Sequence, residues 1–273
     1  MRTLKGRTRG FVTAVIFAGL ATSGVVAKAQ LNPETNKIAA PLEPLRPGIT
    51  ADGIFARLNA QNELRKTGLR DYTALRRYQV ADLNGEVQAE KVGRMEYHAP
   101  DQKRFVVSSE TGSGMIRRMA LNPLVSNEIE AAAAKKQRDS SLTPANYTLE
   151  LIGEQQVGPY RCFVARVTPK RSEKYLFEGT VWIDTHDYAI VRIEGHPAKK
   201  LSFWIQRADF VRQYQKIGKF WLPQRDETLV QVRLYGKSVV TIDHQDYLVN
   251  GETNSATPAT APETVAWGKG DAN

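Results

Sequence analysis

The feature that most constrains this chain is an alternation of apolar and polar residues that recurs from position 175 to position 247. In its first run Val181 and Ile183 point to one side of an extended chain, and Trp182 points to the other. Both sides therefore carry large apolar groups, unlike a strand with one face in water. The run predicts a sheet whose two faces are both covered, by helices or by an apolar ligand.

A polar segment at 184–187 separates this run from a second one, and the two runs together predict a long β-hairpin with its turn in water. In the second run the alternation places Ala189, Val191 and Ile193 together on one face. The polar segment also sets His186 between carboxylates. Because Asp and His suit turn geometry, we interpret it as a turn rather than a metal or acid–base site.

Similar alternating runs begin at position 72 and give about eleven predicted strands in all. The pair Asn84-Gly85 between two of them is a strong hairpin signal. The Gly-rich segment 111–114 is interpreted as a strand-to-helix turn, because it lacks the lysine of a phosphate-binding loop. The chain is therefore expected to be mostly β, with two or three helices.

The first helix is predicted to start at Thr50, whose hydroxyl can cap it, and to stop near Gly68. Its apolar stripe consists of Ile54, Phe55 and Leu58. This stripe fades at Gln61, so the helix cannot cover a broad sheet completely. A helical segment with Met115, Ile116 and Met119 is predicted after the Gly-rich segment and is interrupted near Pro123, and a second helix is predicted over 122–138. Its apolar face consists of Val125, Ile129, Ala132 and Ala133.

Residues 1–29 have the composition of a secretory signal peptide. Four basic residues precede an apolar segment at 11–26, and Ala27-Lys28-Ala29 matches the small-x-small pattern of a cleavage site. The apolar segment is short for a spanning helix, so we expect cleavage after Ala29 and export to the periplasm. The mature chain would then not be an integral membrane protein. An uncleaved N-terminal anchor is the alternative.

The net charge of +9 overstates the basicity of the exported chain. Removing the five basic residues of the signal peptide leaves 33 lysines and arginines against 29 acids, a net charge of +4. So mild a bias, together with export, argues against a nucleic-acid partner.

Catalytic and metal-binding patterns are sparse. No two of the four histidines have the spacing that places them on one helix face for zinc, and no nucleophile elbow occurs. His244 lies beside carboxylates at 243–246, which we interpret as an exposed strand end. Cys162, the single cysteine, is expected to be a small buried hydrophobe. The sequence therefore predicts a non-catalytic protein with no metal and no cofactor.

Several stretches resemble one family. A helix is followed by a meander that starts Asp71-Tyr72-Thr73, and later stretches read GTVWID and KFWLP, at 179–184 and 219–223. This arrangement resembles the periplasmic outer-membrane lipoprotein-sorting proteins of the LolA-like superfamily. The resemblance covers about 48–249. It implies an incomplete antiparallel barrel whose helices form a lid over an apolar cavity. Carrier members of the family have a functional arginine. In this sequence the candidates for that arginine, by region only, are Arg76, Arg77 and Arg94.

The resemblance implies a periplasmic carrier that binds a lipid or the acyl chain of a lipidated protein. The alternative is an envelope protein-interaction or regulatory module that uses the same fold without a lipid; a hydrolase is third, since no nucleophile–base pair can be named. Trp182 and Trp204 are the first choices for the cavity wall, with the Val181 and Ile183 face as the alternative. The full set of predicted ligand-binding residues is Trp182, Trp204, Val181, Ile183, Val191 and Phe203.

The expected domain organisation has four parts. A signal peptide (1–29) and a proline-rich linker (30–47) precede one LolA-like domain (48–249). A Thr-, Ala- and Pro-rich tail (250–273) that contains Trp267 follows and is expected to be disordered.

Overall fold

A computed structural model describes residues 38, 40–132, 140–201, 203, 205–233 and 236–251. The predicted signal peptide with its cleavage site lies outside these residues, as do Ala133, Trp204, Trp267 and the tail from position 252. No helix in the described part of the chain combines the length and apolar character needed to cross a membrane.

Ten strands and two helical segments make up the described chain. The strands are β1 Asp71–Ala81, β2 Val87–His98, β3 Gln102–Gly112, β4 Tyr147–Val157, β5 Tyr160–Pro169, β6 Phe177–Asp184, β7 Ile190–Pro197, β8 Ile205–Ile217, β9 Phe220–Val232 and β10 Gly236–Val249. The helices are α1 Ala51–Gly68, α2 Gly114–Ile116, a π-helix Arg117–Leu121 and α3 Asn122–Ala131.

All ten strands form one antiparallel sheet in the order β3-β2-β1-β10-β9-β8-β7-β6-β5-β4. β3 and β4 lie at opposite ends of this order, so the sheet is open rather than a closed barrel. The prediction of a mostly β, incomplete antiparallel barrel with helices is confirmed. The described strands number ten rather than eleven, because the long runs that form β8, β9 and β10 are each a single strand.

One row of paired residues crosses the sheet and shows that both helical segments lie on the same face. Its members from β3 to β4 are Glu110, Lys91, Tyr78, Ile242, Asp226, Arg212, Ile193, Val181, Ala165 and Leu151. Opposed residues of paired antiparallel strands project to the same side. α3 packs on Tyr78 and α1 packs on Val181, so we call this side the inner face.

α1 begins and ends as its sequence predicts. The Thr50 hydroxyl accepts a hydrogen bond from the Gly53 amide at 3.2 Å, and the helix ends at Gly68. The buried residues of α1 are Ile54, Phe55 and Leu58. The stripe therefore ends before Gln61, and the second half of α1 buries no side chain against the sheet.

An apolar cluster under α1 covers the inner face of β4 to β7. We call it the α1 cluster; it consists of Ile54, Phe55, Leu58, Leu142, Tyr147, Leu149, Phe163, Ala165, Val167, Leu176, Val181, Ile183 and Ile193. A smaller α3 cluster covers β1, β2 and β10. It consists of Tyr78, Val80, Ala89, Ile116, Leu121 and Val125.

In the second helical segment, α2, the π-helix and α3 follow one another without a break from residue 114 to residue 131. The Ser113 hydroxyl caps α2 by accepting from the Ile116 amide at 3.3 Å, which confirms the strand-to-helix turn at 111–114. The predicted interruption near Pro123 is a change from π- to α-helix, because proline, in the first turn of α3, donates no backbone hydrogen bond.

The predicted β6–β7 hairpin is present, but a bulge in its second strand changes the direction of the side chains that precede Arg192. Trp182 pairs with Arg192 and Ile183 pairs with Ile190, so Val191 is an extra residue in the ladder. Ile193 therefore packs with Val181 in the α1 cluster, whereas Val191 and Ala189 pack with Trp182. The predicted grouping of Ala189, Val191 and Ile193 on one face is wrong, because this bulge reverses the alternation.

The outer face of β5 to β7 is also covered. Trp182 is 5% exposed and packs with Cys162, Val164 and Val191, and its indole donates to the Gln155 side chain at 2.8 Å. Both faces of the hairpin therefore carry buried apolar groups, as expected, but the cluster on the outer face contains no residue of a helix. Cys162 is buried, as expected, and burial raises the pKa of its thiol.

The described part of the 30–47 segment lies alongside the edge strand β4. Glu43 and Glu154 exchange two backbone hydrogen bonds of 2.8 Å. The Glu154 carboxylate, fully buried, accepts from Arg46 Nε and Arg161 Nε, both at 2.8 Å. This segment therefore shields one edge of the open sheet from pairing with another chain.

Candidate ligand groove and charged cluster

The second half of α1 leaves a groove between this helix and the β8–β9 hairpin. The groove has a volume of about 390 Å³, within the range of small-ligand sites. Its apolar lining residues are Leu58, Leu64, Ala189, Ile190, Tyr214, Phe220 and Trp221. Its polar lining residues are Gln61, Asn62, Arg65, Thr67 and Lys219. An apolar floor with a basic and amide rim suits an amphiphile that has an apolar body and an anionic or polar end.

Two features position the groove wall. α1 ends at Gly68, which packs against the ring of Phe220. A Cβ added at Gly68 would lie 3.3 Å from a carbon of that ring. At the other side, the Trp221 indole donates to Asp187 at 2.8 Å, and Lys216 pairs with the same carboxylate at 2.6 Å. The β6–β7 turn therefore holds the base of the β8–β9 hairpin in place.

The turn at 184–187 is built by its own carboxylate. The Asp184 side chain accepts from the amides of His186 at 2.9 Å and Asp187 at 2.6 Å. The interpretation as a turn is confirmed. In the described part of the chain, no group of three His, Cys, Asp or Glu side chains could hold a metal ion.

None of the described residues in the predicted ligand set lines this groove. Val181 and Ile183 are fully buried in the α1 cluster, and Trp182 and Val191 pack on the outer face. Phe203 is 71% exposed at the opposite end of the sheet, and Trp204 lies outside the described residues. Ligand binding by these residues stays a prediction. The sequence signals that could have located the groove are the fading α1 stripe and the KFWLP stretch.

Between the two helix-covered halves, the inner face carries a second feature, a charged cluster. It consists of Arg76, Glu128, Arg212, Asp226 and His244, from four strands and α3. His244 Nε2 lies 3.1 Å from Asp226 Oδ2, and Arg212 pairs with Asp226. Arg76 Nε lies 3.5 Å from Glu128 Oε1.

Arg76 is the most enclosed member of the charged cluster. Its side chain is fully buried, and its guanidinium lies over the rings of Tyr72 and Tyr247, 5.9 and 5.4 Å from their centroids. None of its nitrogens has a hydrogen-bond partner of good geometry among the described residues, so its charge is balanced mainly by Glu128. Of the three arginines proposed by region, Arg77 and Arg94 are exposed, and only Arg76 belongs to the cluster.

Glu128 anchors α3 to the sheet through three partners. Its carboxylate accepts from Tyr78 Oη at 2.6 Å and from Lys103 Nζ at 3.2 Å, and it lies beside Arg76. Burial by itself would raise the pKa of Glu128, but Lys103 and Arg76 outweigh it and hold this pKa at about 2. The carboxylate is therefore charged at neutral pH.

His244 is buried, with 3% of its side chain exposed, so its interpretation as part of an exposed strand end is wrong. The register of β10 against β1 sets His244 opposite Arg76 on the inner face. Burial and the nearby Arg76 charge lower the pKa of His244, even though Asp226 accepts a hydrogen bond from it. Burial opposes charge on Asp226, but Arg212 and His244 keep its pKa well below the usual range.

Comparison with known proteins gives structural neighbours only. A scan of protein-family models found no match, and neither did a search of curated proteins. Among solved structures, the chain is similar to a putative outer membrane lipoprotein-sorting protein domain from Vibrio parahaemolyticus, at 12% identity and a TM-score of 0.43. The alignment covers 74% of this chain and 94% of that one.

Two further solved structures are similar over about three quarters of the chain. A LolA superfamily protein from Nitrosomonas europaea has 8% identity and a TM-score of 0.33, covering 73% of this chain and 93% of that one. A MucA/MucB complex from Pseudomonas aeruginosa has 12% identity and a TM-score of 0.25, covering 75% of this chain and 100% of the matched one.

Proposed function

We propose that this protein is a non-catalytic periplasmic carrier that holds the acyl chain of a lipid or lipidated protein in the groove between α1 and the β8–β9 hairpin. The observation that supports the proposal is the groove itself, with a volume of about 390 Å³, an apolar floor and a rim that contains Arg65 and Lys219. The apolar floor would bury methylene groups, each contributing about 0.8 kcal/mol. The basic rim would face an anionic or polar end.

A single substitution on the groove wall tests the proposal. Leu64 lines the groove and is 66% exposed, so Leu64→Asp should reduce binding of a fluorescent fatty acid with little change in stability. The matched control is Leu83→Asp, which places the same charge at an exposed leucine in the β1–β2 turn. Equal affinity of the Leu64 variant, the Leu83 variant and the unchanged protein would contradict the proposed site.

Export is the second part of the proposal and has a separate test. If the signal peptide is removed after Ala29, protein recovered from the periplasm should begin at Gln30. N-terminal sequencing of the periplasmic fraction measures this directly. Retention of Met1 would indicate an uncleaved anchor instead.

A second candidate function is an envelope protein-interaction module, and it is favoured by the edge strand β3. β3 ends the sheet order, and its Val106 and Val107 are 43% and 48% exposed. A partner strand could pair along such an edge. Native mass spectrometry of protein purified from its own periplasm separates the two functions: a bound lipid supports the carrier, and a bound protein without lipid supports the module.

A further inference from the structure

Three connections meet at the end of the sheet opposite the groove. The groove uses the start of β7 and the β8–β9 turn, whereas this end contains the β5–β6, β7–β8 and β9–β10 connections. The Ala198 amide donates to the Leu176 carbonyl at 2.8 Å, and Ser172 Oγ donates to the Ala198 carbonyl at 3.0 Å. The guanidinium of Arg233 lies over the ring of Phe203, 4.8 Å from its centroid. The described residues of the three connections therefore form one surface.

This surface is strongly basic, and we call it the basic end. Its exposed cations are Lys170, Lys174, Lys199, Lys200, Arg207 and Arg233. Its acids are Glu173, Glu178 and Asp209, which pair with Arg171, His196 and Arg207 respectively. The exposed cations outnumber the acids, so the surface attracts an anionic partner.

Large apolar side chains project from the same surface. Phe203, Leu201 and Tyr175 are 71%, 42% and 37% exposed. Beside them lies a depression of about 350 Å³, whose lining includes Lys199, Lys200, Leu201 and Arg207, together with His196, Glu178 and Asp209. Exposed aromatic and aliphatic tips surrounded by lysine and arginine are typical of surfaces that rest in a membrane interface.

We propose that the basic end docks the protein on the surface of a membrane that contains anionic phospholipid. Phe203 and Leu201 enter the headgroup region, where their apolar area is buried. Lys199, Lys200 and Arg233 lie at the level of the phosphates and are attracted by the negative surface potential. This interaction is separate from acyl-chain binding in the groove, because it uses different residues at the opposite end of β7, β8 and β9.

Flotation with lipid vesicles tests the proposal with the purified protein. Vesicles of phosphatidylcholine and phosphatidylglycerol in equal amounts should carry the protein, and vesicles of phosphatidylcholine alone should not. The double variant Lys199→Gln, Lys200→Gln should bind about 25-fold more weakly, since each lysine near an anionic surface contributes about 5-fold. Phe203→Ser should weaken binding about 10-fold through loss of apolar burial.

A matched double variant controls for net charge. Arg70→Gln, Arg94→Gln removes two charges from exposed residues away from the basic end and should bind as the unchanged protein does. Equal weakening by both double variants would overturn the proposal, since binding would then depend on net charge alone. Equal binding to the two vesicle compositions, or no binding to either, would also overturn it. If the protein bound to neither vesicle composition, the basic end would instead be interpreted as a surface for an acidic protein.

Discussion

The two helix-covered halves of the inner face are held in different ways. Under α1, thirteen buried residues form the α1 cluster, and all of them are apolar or aromatic. Under α3 the cluster has only six members, and the carboxylate of Glu128 supplies further contacts to Tyr78, Lys103 and Arg76. α1 is therefore attached mainly by apolar burial, and α3 depends in addition on charge.

This difference has consequences for how each helix responds to change. Apolar burial does not depend on pH, whereas the contacts of Glu128 require its negative charge. The two halves meet at the charged cluster on β8, β9, β10 and β1, where Asp226 and His244 are linked to Arg212 and lie next to Arg76. We therefore expect that a substitution or acid can weaken the attachment of one helix to the sheet without weakening that of the other.

The largest expected effect is the loss of packing under α1. Phe55 is 5% exposed in the α1 cluster, so Phe55→Ala should lower the free energy of unfolding by about 3–5 kcal/mol. Phe55→Leu is the control, because it retains most of the apolar volume and should cost less. Urea denaturation measures both. A loss below about 1 kcal/mol for Phe55→Ala would contradict the importance of apolar burial for α1.

The next effect concerns the charge that anchors α3. Glu128→Gln should lower the free energy of unfolding by about 3 kcal/mol, because it leaves the fully buried Arg76 without its carboxylate. Arg76→Met should cost less, since Glu128 keeps Tyr78 and Lys103 as partners. Urea denaturation of the two variants gives the comparison. If Arg76→Met proved the more damaging, the assignment of Glu128 as anchor would be wrong.

A smaller effect is expected at the start of α1. Thr50→Ala removes the hydroxyl that accepts from the Gly53 amide and should cost about 1 kcal/mol. Thr50→Ser keeps an acceptor and should restore most of that stability. Thermal unfolding, monitored by circular dichroism, ranks the stability of the unchanged protein, Thr50→Ala and Thr50→Ser. Equal melting temperatures would mean that the cap does not contribute.

The smallest expected effect is the pH dependence that His244 adds. Its pKa in the folded protein lies below the ordinary value of 6.5, so the unfolded chain binds more protons as the pH falls through that value. Stability should therefore fall as the pH drops below about 6.5, before the low-pKa carboxylates of Asp226 and Glu128 are protonated.

Two variants isolate this contribution. His244→Gln should flatten the dependence of stability on pH between neutral and mildly acidic conditions, whatever it does to stability itself. His98→Gln is the control at an exposed histidine and should leave the dependence unchanged. Urea midpoints measured across this pH range show the difference. Parallel curves for both variants and the unchanged protein would exclude His244 as the source.

Much of the fold could be predicted because the relevant signals are local. The Thr50 cap, the stop at Gly68 and the Asn84-Gly85 hairpin each depend on residues a few positions apart, and each is confirmed. The groove was only partly predictable. The fading of the α1 stripe after Leu58 indicated that the helix could not cover the sheet completely, but not that Phe220 and Trp221 would line the remaining groove.

The errors came from positions where pairing decides the outcome. Val191 faces the Trp182 side because a bulge adds one residue to β7, and a period-two pattern cannot show a bulge in advance. Phe203 is exposed in the β7–β8 connection, which an alternating run does not show in advance, and ligand binding by Phe203 stays a prediction.

By itself the sequence determined that this protein is mostly β with a capped first helix, since alternation and turn residues report on near neighbours in the chain. Only the tertiary structure decided that His244 is buried and that Arg76, Glu128, Asp226 and Arg212 join it. These five residues come from separate segments between positions 76 and 244. The pairing of β1 with β10 and of β9 with β8, and the packing of α3, bring them together, and no local pattern carries that information.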